Sequence, residues 1–272
     1  MTALPCDAPV VRLHVGCSFT YRAEIPTPAV FQIQPSDLRV AAEVWMTEPV
    51  TPMRHYEDVY RNPCVRTVLP AGWSTVRYTA SVDVSCAPEE RDLDAPETAP
   101  DDLPDSVLLY TLPSRYCLPD VLADAAWARF GTHSPGYQRV LAICAHVHQH
   151  LRFRYGSTTP LSTAADVEAG GFGVCRDFAH LAISYCRALN IPARYVFGYL
   201  PTIEVPMDFA AWMEVWLGDR WWTFDPRNNT RRAGRVVIGR GRDAADVAMA
   251  TTFGGPVLEA MTVYADRPPQ GS

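Results

Sequence analysis

The feature that most constrains this chain is a change of hydrophobic period part-way along it. From Leu13 the residues alternate strictly, with Leu13, Val15, Cys17, Phe19 and Tyr21 on one side and His14, Gly16, Ser18, Thr20 and Arg22 on the other. A period of two is that of a half-buried strand. The same period returns in Leu38, Val40, Ala42, Val44 and Met46, and again in Val76, Tyr78, Ala80, Val82, Val84 and Cys86. Residues 1–86 therefore read as an antiparallel β module. Residues 87–106 carry eight acids, one arginine and four prolines and offer little to bury, which predicts a linker or long surface loop.

Past that segment the period becomes helical. Ser134 and Pro135 supply an N-cap and first-turn proline for a stripe of Val140, Ile143, Val147 and Leu151. A second helix runs from about Cys175 to Leu189 and stops at Asn190 and Pro192. Three strand-like runs follow, IPARYVFGYL, AAWMEVWL and RWWTFDP, the last two joined at Gly218-Asp219 as a hairpin. Residues 107–272 thus read as an α+β domain with a C-terminal extension ending in a frayed PPQGS.

The formal charge of -6 argues against nucleic acid or an anionic membrane surface as partner, since both attract positive fields. All 24 basic residues are arginine, which excludes Schiff-base chemistry on a lysine. No apolar run is long enough to span a bilayer and no secretion signal opens the chain, so a cytoplasmic location is expected. The eight cysteines then read as reduced thiols, and no CxxC pair suggests a structural zinc. His146, His148 and His150 resemble metal ligands, but only His146 and His150 share a face, and Arg139 and Gln149 beside them favour a solvated surface. The expectation is no metal and no organic cofactor.

The stretch GGFGVCRDFAHLA places Cys175 at the first turn of a helix, where free N–H groups and the dipole favour a thiolate. The competing reading is a buried structural cysteine. Together with IPARYVFGY, the hairpin and the terminal FDP, this stretch resembles the bacterial transglutaminase-like superfamily of papain-type cysteine enzymes. The upstream LPSRYCLPD and the tail GRVVIGRGRDAADVAMATTFG resemble parts of bacterial members as well. The resemblance implies a papain-like α+β core with a Cys helix on an antiparallel sheet, Cys175 as nucleophile and Asp225 as the acid that orients a histidine. It implies a peptide or small acyl or amide substrate, and either hydrolysis or acyl transfer through a thioester.

The histidine of that pattern belongs at position 210, where this chain has Ala210 in DFAAW, and no histidine follows His180. Three explanations stand open: a deliberate replacement that traps an inactive form, a natural pseudoenzyme, or a base recruited from elsewhere. The alternative function is a non-catalytic peptide-binding module. His180 lies five residues beyond Cys175, turned well around the helix, and reads as a packed or backbone-bonded residue. Trp212, Trp216 and Trp221 are candidates to wall a substrate cleft, and Arg176 and Asp177 to help cap the helix. The arginines at 231, 232, 235, 240 and 242 could receive a substrate carboxylate. Oligomeric state is left open.

Overall fold

The structure, a computed structural model, describes residues 9–38, 40–201 and 208–266. The expected frayed end at 268–272 lies outside the described residues. The first part is all strand: β1 (Val10–Ala23), β2 (Thr27–Phe31), β3 (Val40–Glu48), β4 (Arg54–Glu57), β5 (Pro63–Leu69) and β6 (Gly72–Ser85). The predicted inward faces of β1 and β6 are buried from Leu13 to Tyr21 and from Val76 to Val84.

The face expected for β3 is wrong. Its register against β6 shifts between Val40 and Ala42. A bulge of one residue reverses which side chains face the core. Val44 and Met46 are therefore more than half exposed, while Trp45 turns inward with its ring 4.8 Å from that of Tyr78.

Residues 87–106 are not a free linker. Ala95 and Leu103 are buried, and the Pro96 carbonyl accepts the Gly218 N–H at 2.8 Å. After a single turn, α1 (Asp105–Leu108), come α2 (Ala123–Phe130) and α3 (Tyr137–His150). Helix α3 begins two residues later than Ser134-Pro135 suggests, and the acidic segment caps it. Glu97 accepts the Gly136 N–H at 2.9 Å and pairs with Arg139, and the Ala95 carbonyl accepts the Tyr137 N–H at 3.0 Å. Gly136 has φ 93°, and a Cβ there would meet the Ala95 carbonyl oxygen at 2.3 Å, so the cap depends on glycine. These contacts join residues far apart in sequence, which composition does not report.

The remaining elements are the two-residue β7 (Arg152–Phe153), α4 (Ala164–Gly170), the two-residue β8 (Phe172–Gly173), α5 (Cys175–Ala188), β9 (Ala193–Tyr199), β10 (Ala210–Leu217), β11 (Arg220–Phe224) and β12 (Val236–Gly241). Strands β11-β10-β9-β12 form one antiparallel sheet with α5 packed on it. Tyr195, Ala211 and Met213 are buried within the same core as α5. Asn190 at φ 61° ends α5 as expected.

The division at residue 107 needs one amendment. Strand β13 (Ala250–Thr252) pairs with β2, and β14 (Val257–Asp266) pairs with β1 along nine residue pairs. The last strands thus complete the sheets β13-β2-β5-β4 and β14-β1-β6-β3 of the first module. One continuous core runs through both parts, and the Tyr199 hydroxyl donates to the Ile33 carbonyl at 2.8 Å across the junction.

Candidate active site

Cys175 is the first residue of α5, with Val174 as N-cap in extended conformation. Asp177, fully buried, holds that turn: its carboxylate accepts the Val174 N–H at 2.9 Å and the Thr158 hydroxyl at 2.6 Å, and pairs with Arg176. A Cβ on Gly173 would lie 2.7 Å from the Asp177 Cβ, so glycine is what lets the entering strand pass so close. The capping role expected of Asp177 is thus present, carried by contacts reaching back to Thr158.

The Cys175 thiol lies against the start of β10 and donates to the Phe209 carbonyl at 3.8 Å. Burial pushes its pKa up to about 11; Arg227 and the N–H groups of Ala211 and Arg176 oppose that shift, and Asp208 adds to it. This direction is opposite to the expected thiolate. Desolvation outweighs the helix N-terminus, because a charged sulfur loses its water on entering the fold while the terminal dipole returns only part of that energy.

Two pockets meet at Cys175, and both are also lined by Asp208, Phe209 and Ala210. The smaller, of about 110 Å³, is closed by Phe153, Tyr155, Leu200, Arg227, Asn228 and Arg232. The larger, of about 380 Å³, runs between Thr158–Pro160 and the chain from Ala244 to Ala250, with Tyr195 and Phe197 as its floor. Position 210 therefore does stand beside the thiol, and presents a methyl group there.

Asp225 follows β11 directly and is 7% exposed. Although burial pushes its carboxyl up, the Arg235 guanidinium and two donors from Asn228 bring it below the usual range. Arg235 Nη2 donates to Oδ2 at 2.8 Å, the Asn228 N–H to Oδ1 at 2.9 Å, and Asn228 Nδ2 to Oδ2 at 2.8 Å. Arg235 also pairs with Glu89 and lies 4.8 Å over the Trp212 ring. The acid expected to orient a histidine is engaged by an arginine.

The tryptophans are not cleft walls. Trp212 is 1% exposed beneath Arg235, and Trp216 packs edge-on to Trp221 at 5.5 Å while Arg194 covers Trp221 at 4.1 Å. None of the three lines a pocket with Cys175. Of the expected arginine rim only Arg232 does; Arg240 pairs with Glu214, Arg242 with Asp246, and Arg231 donates to the Glu89 carbonyl. Sequence reasoning missed Arg227, Asn228 and Asp208, although all three stand within three residues of the quoted FDP and Ala210. His180 is the packed residue it was expected to be. Its ring stacks on Tyr116 at 5.1 Å, its Nε2 accepts the Ala244 N–H at 3.1 Å, and burial lowers its pKa to about 3.

A cysteine at a helix N-terminus, packed on an antiparallel sheet whose hairpin is followed by an acid, is the arrangement of a papain-like core. Residues 125–226 match the model of the transglutaminase-like superfamily. The crystal structure of a "Putative Cysteine Protease" from Cytophaga hutchinsonii is 31% identical, with 97% of this chain and 93% of that one covered at a TM-score of 0.86. The chain belongs to the transglutaminase-like superfamily. Uncharacterized proteins of Mycobacterium leprae and Mycobacterium tuberculosis are 32% and 34% identical over 50% and 47% of this chain, and the matches cover 51% and 45% of those proteins. The chain thus spans about half the length of these curated relatives.

Proposed function

We propose that this protein seats the acyl or amide portion of a peptide-like ligand against Cys175 and, with alanine at position 210, holds it with little or no turnover. Thioester formation requires Sγ to attack the carbonyl carbon as the C–N bond breaks, with the thiol proton passed to the departing amine. The observation that carries the reading is the fate of the two partners such a transfer needs. Position 210 offers a methyl group, and Asp225 is held by Arg235 and Asn228. Asp208 is the titratable carboxyl beside the thiol, and a carboxylate is a poor base for a thiol near pKa 11. Loss of a triad base lowers turnover by about 10⁴ to 10⁶ in hydrolases built on the same logic.

A peptide-like ligand is supported by the two pockets, the larger with room for an extended chain and the smaller with the guanidinium groups of Arg227 and Arg232. Whether water or an amine would accept the acyl group in an active form depends on how far the closed site excludes water. No helix among the described residues is long and apolar enough to cross a membrane.

The test compares the parent with Ala210→His on an activated acyl ester, reading acylation of Cys175 by intact mass and product release by absorbance. The expected result is no acyl-enzyme in the parent and a Cys175-linked acyl group in the variant. Acylation of the parent at the variant's rate would overturn the reading.

A further inference from the structure

We propose that His146, His150 and Glu168 form a divalent-cation site, with zinc the metal that its donors suit best. One donor atom from each of these three residues lies within 4.8 Å of the other two. The two histidines stand one turn apart on α3, with rings stacked at 5.5 Å and 11° between their planes. This is the presentation by which an i, i+4 pair aims two nitrogens at one point. Helix α4 brings Glu168 to that point, and His150 Nε2 lies 3.2 Å from Glu168 Oε2.

The cluster does not sit on the solvated face that the sequence suggested. Both His146 Nε2 and Glu168 Oε2 are shut off from water; His146 Nε2 has no hydrogen-bond partner among the described residues, and Glu168 Oε2 faces His150 Nε2 at 3.2 Å. A buried ring nitrogen without a partner calls for an explanation, and a cation shared with Glu168 supplies one. Around them, Arg129 Nη1 donates to Glu168 Oε1 at 2.7 Å and to the Tyr185 hydroxyl at 2.6 Å, while the Phe130 ring closes on His146. The guanidinium thus fixes one carboxylate oxygen and leaves the other turned to the histidines, the supporting arrangement common around metal ligands.

Arg129 also selects the metal. Its charge cancels that of Glu168, so a cation must be held largely by imidazole lone pairs. Magnesium and calcium need several oxygen ligands, whereas zinc takes two imidazoles, a carboxylate and a water. His146 Nε2, buried and without a hydrogen-bond partner among the described residues, is placed to become a ligand. His150 Nε2 lies 2.7 Å from the Glu168 carbonyl without metal, and binding through Nε2 would exchange that hydrogen bond for the metal and leave the ring N–H on Nδ1. Zinc bonds of about 2.1 Å require the three donors to draw together by roughly 1 Å, within reach of side-chain rotation. Because α4 leads directly into the segment 171–174 before Cys175, the cation would tie α3 to the support of the thiol.

The test uses the full chain, stripped by chelator, in a Cys175→Ala background that removes the cleft thiol. Zinc titrated by calorimetry should bind at one equivalent and raise the melting temperature. Cobalt should give a ligand-field spectrum without thiolate charge transfer. His146→Gln, His150→Gln and Glu168→Gln should each weaken zinc by more than about 100-fold. His148→Gln, on another face of α3 where Nδ1 bonds the Arg227 carbonyl, should leave affinity unchanged. Circular dichroism of the metal-free variants checks folding, and the parent titration decides even where a variant fails. No zinc uptake, uptake indifferent to these three residues, or a cobalt spectrum dominated by thiolate would overturn the proposal.

Discussion

Two buried acids of the β10–β11 hairpin, Glu214 and Asp225, are both held by arginine, yet they are held in different ways. Glu214 accepts Arg194 Nε at 2.7 Å and Arg240 Nε at 2.8 Å, and its residue partner across the strand pair β10–β9 is Arg194 itself. Its cations come from strands of the same sheet, so the ladder fixes all three charges. Asp225 sits in the turn beyond β11, and its cation, Arg235, comes from the chain before β12 with Glu89 of the acidic segment as second anchor. One ion cluster is locked by secondary structure. The other is assembled from loops and can be rewired, and it adjoins the position where the family's histidine belongs.

The largest test of this contrast is stability. Glu214→Gln should cost about 3 kcal/mol in urea unfolding, because the half-buried Arg194 loses its carboxylate while Arg240 retains Asp37. Asp225→Asn should cost about 1 to 2 kcal/mol, since the amide still accepts from Asn228 and Arg235 keeps Glu89. Equal losses would break the comparison.

Acid sharpens it. Burial pushes the Glu214 carboxyl up, but Arg240 and Arg194 pull it down to about 2 from an ordinary 4.5. The unfolded chain therefore binds the extra proton first as pH falls. The stabilisation is complete above pH 4.5 and is lost towards pH 2, on the order of 3 kcal/mol. Unfolding free energies measured across that window should flatten in Glu214→Gln. His180 acts in the same direction, with a folded pKa near 3, over the window from pH 6.5 to 3. It should persist in that variant.

The thiol gives a smaller effect. At pH 8 a group at about 11 rather than its ordinary 9 carries roughly 100-fold less thiolate, so alkylation of Cys175 should lag that of Cys86, which is half-buried like it. Mass spectrometry of iodoacetamide labelling reads this, and Cys175 reacting first would show that the helix terminus prevails over burial. Smallest is the coupling between Arg235 and a restored histidine. Arg235→Gln in the Ala210→His background should raise the acylation rate by less than about tenfold, by freeing Asp225 to orient the imidazole. No change would mean that Asp225 and position 210 do not communicate.

What the sequence disclosed was local. The inward faces of β1 and β6, the span of α5 and the Gly218 hairpin follow from period and capping, which neighbouring residues decide. The placement of Ala210 beside Cys175 followed from motif order. What it hid depends on residues distant in the chain. One bulge reversed β3, and a segment with the composition of a linker caps α3 because Gly136 and Tyr137 meet Ala95 and Glu97. Of the tryptophans at cleft-like spacing, Trp212 is buried beneath Arg235, and Trp221 is half-buried under Arg194. The thiol's acidity was misjudged because burial is a tertiary property. His146 and His150 looked solvated because nothing in α3 announces Glu168.

The pairing of β14 with β1 also sets an order of events during synthesis. Strand β1 finds β6 within the first part of the chain, but its other edge stays open until residues 257–266 have emerged. Non-local pairing of this kind comes late, after the helices between have had time to form. The wall from Ala244 to Ala250 is delivered with the same stretch, so in a nascent chain the larger pocket beside Cys175 lacks that side. A ribosome paused before residue 244 would therefore display the sulfur beside a half-built pocket, and the late strands are what complete its wall.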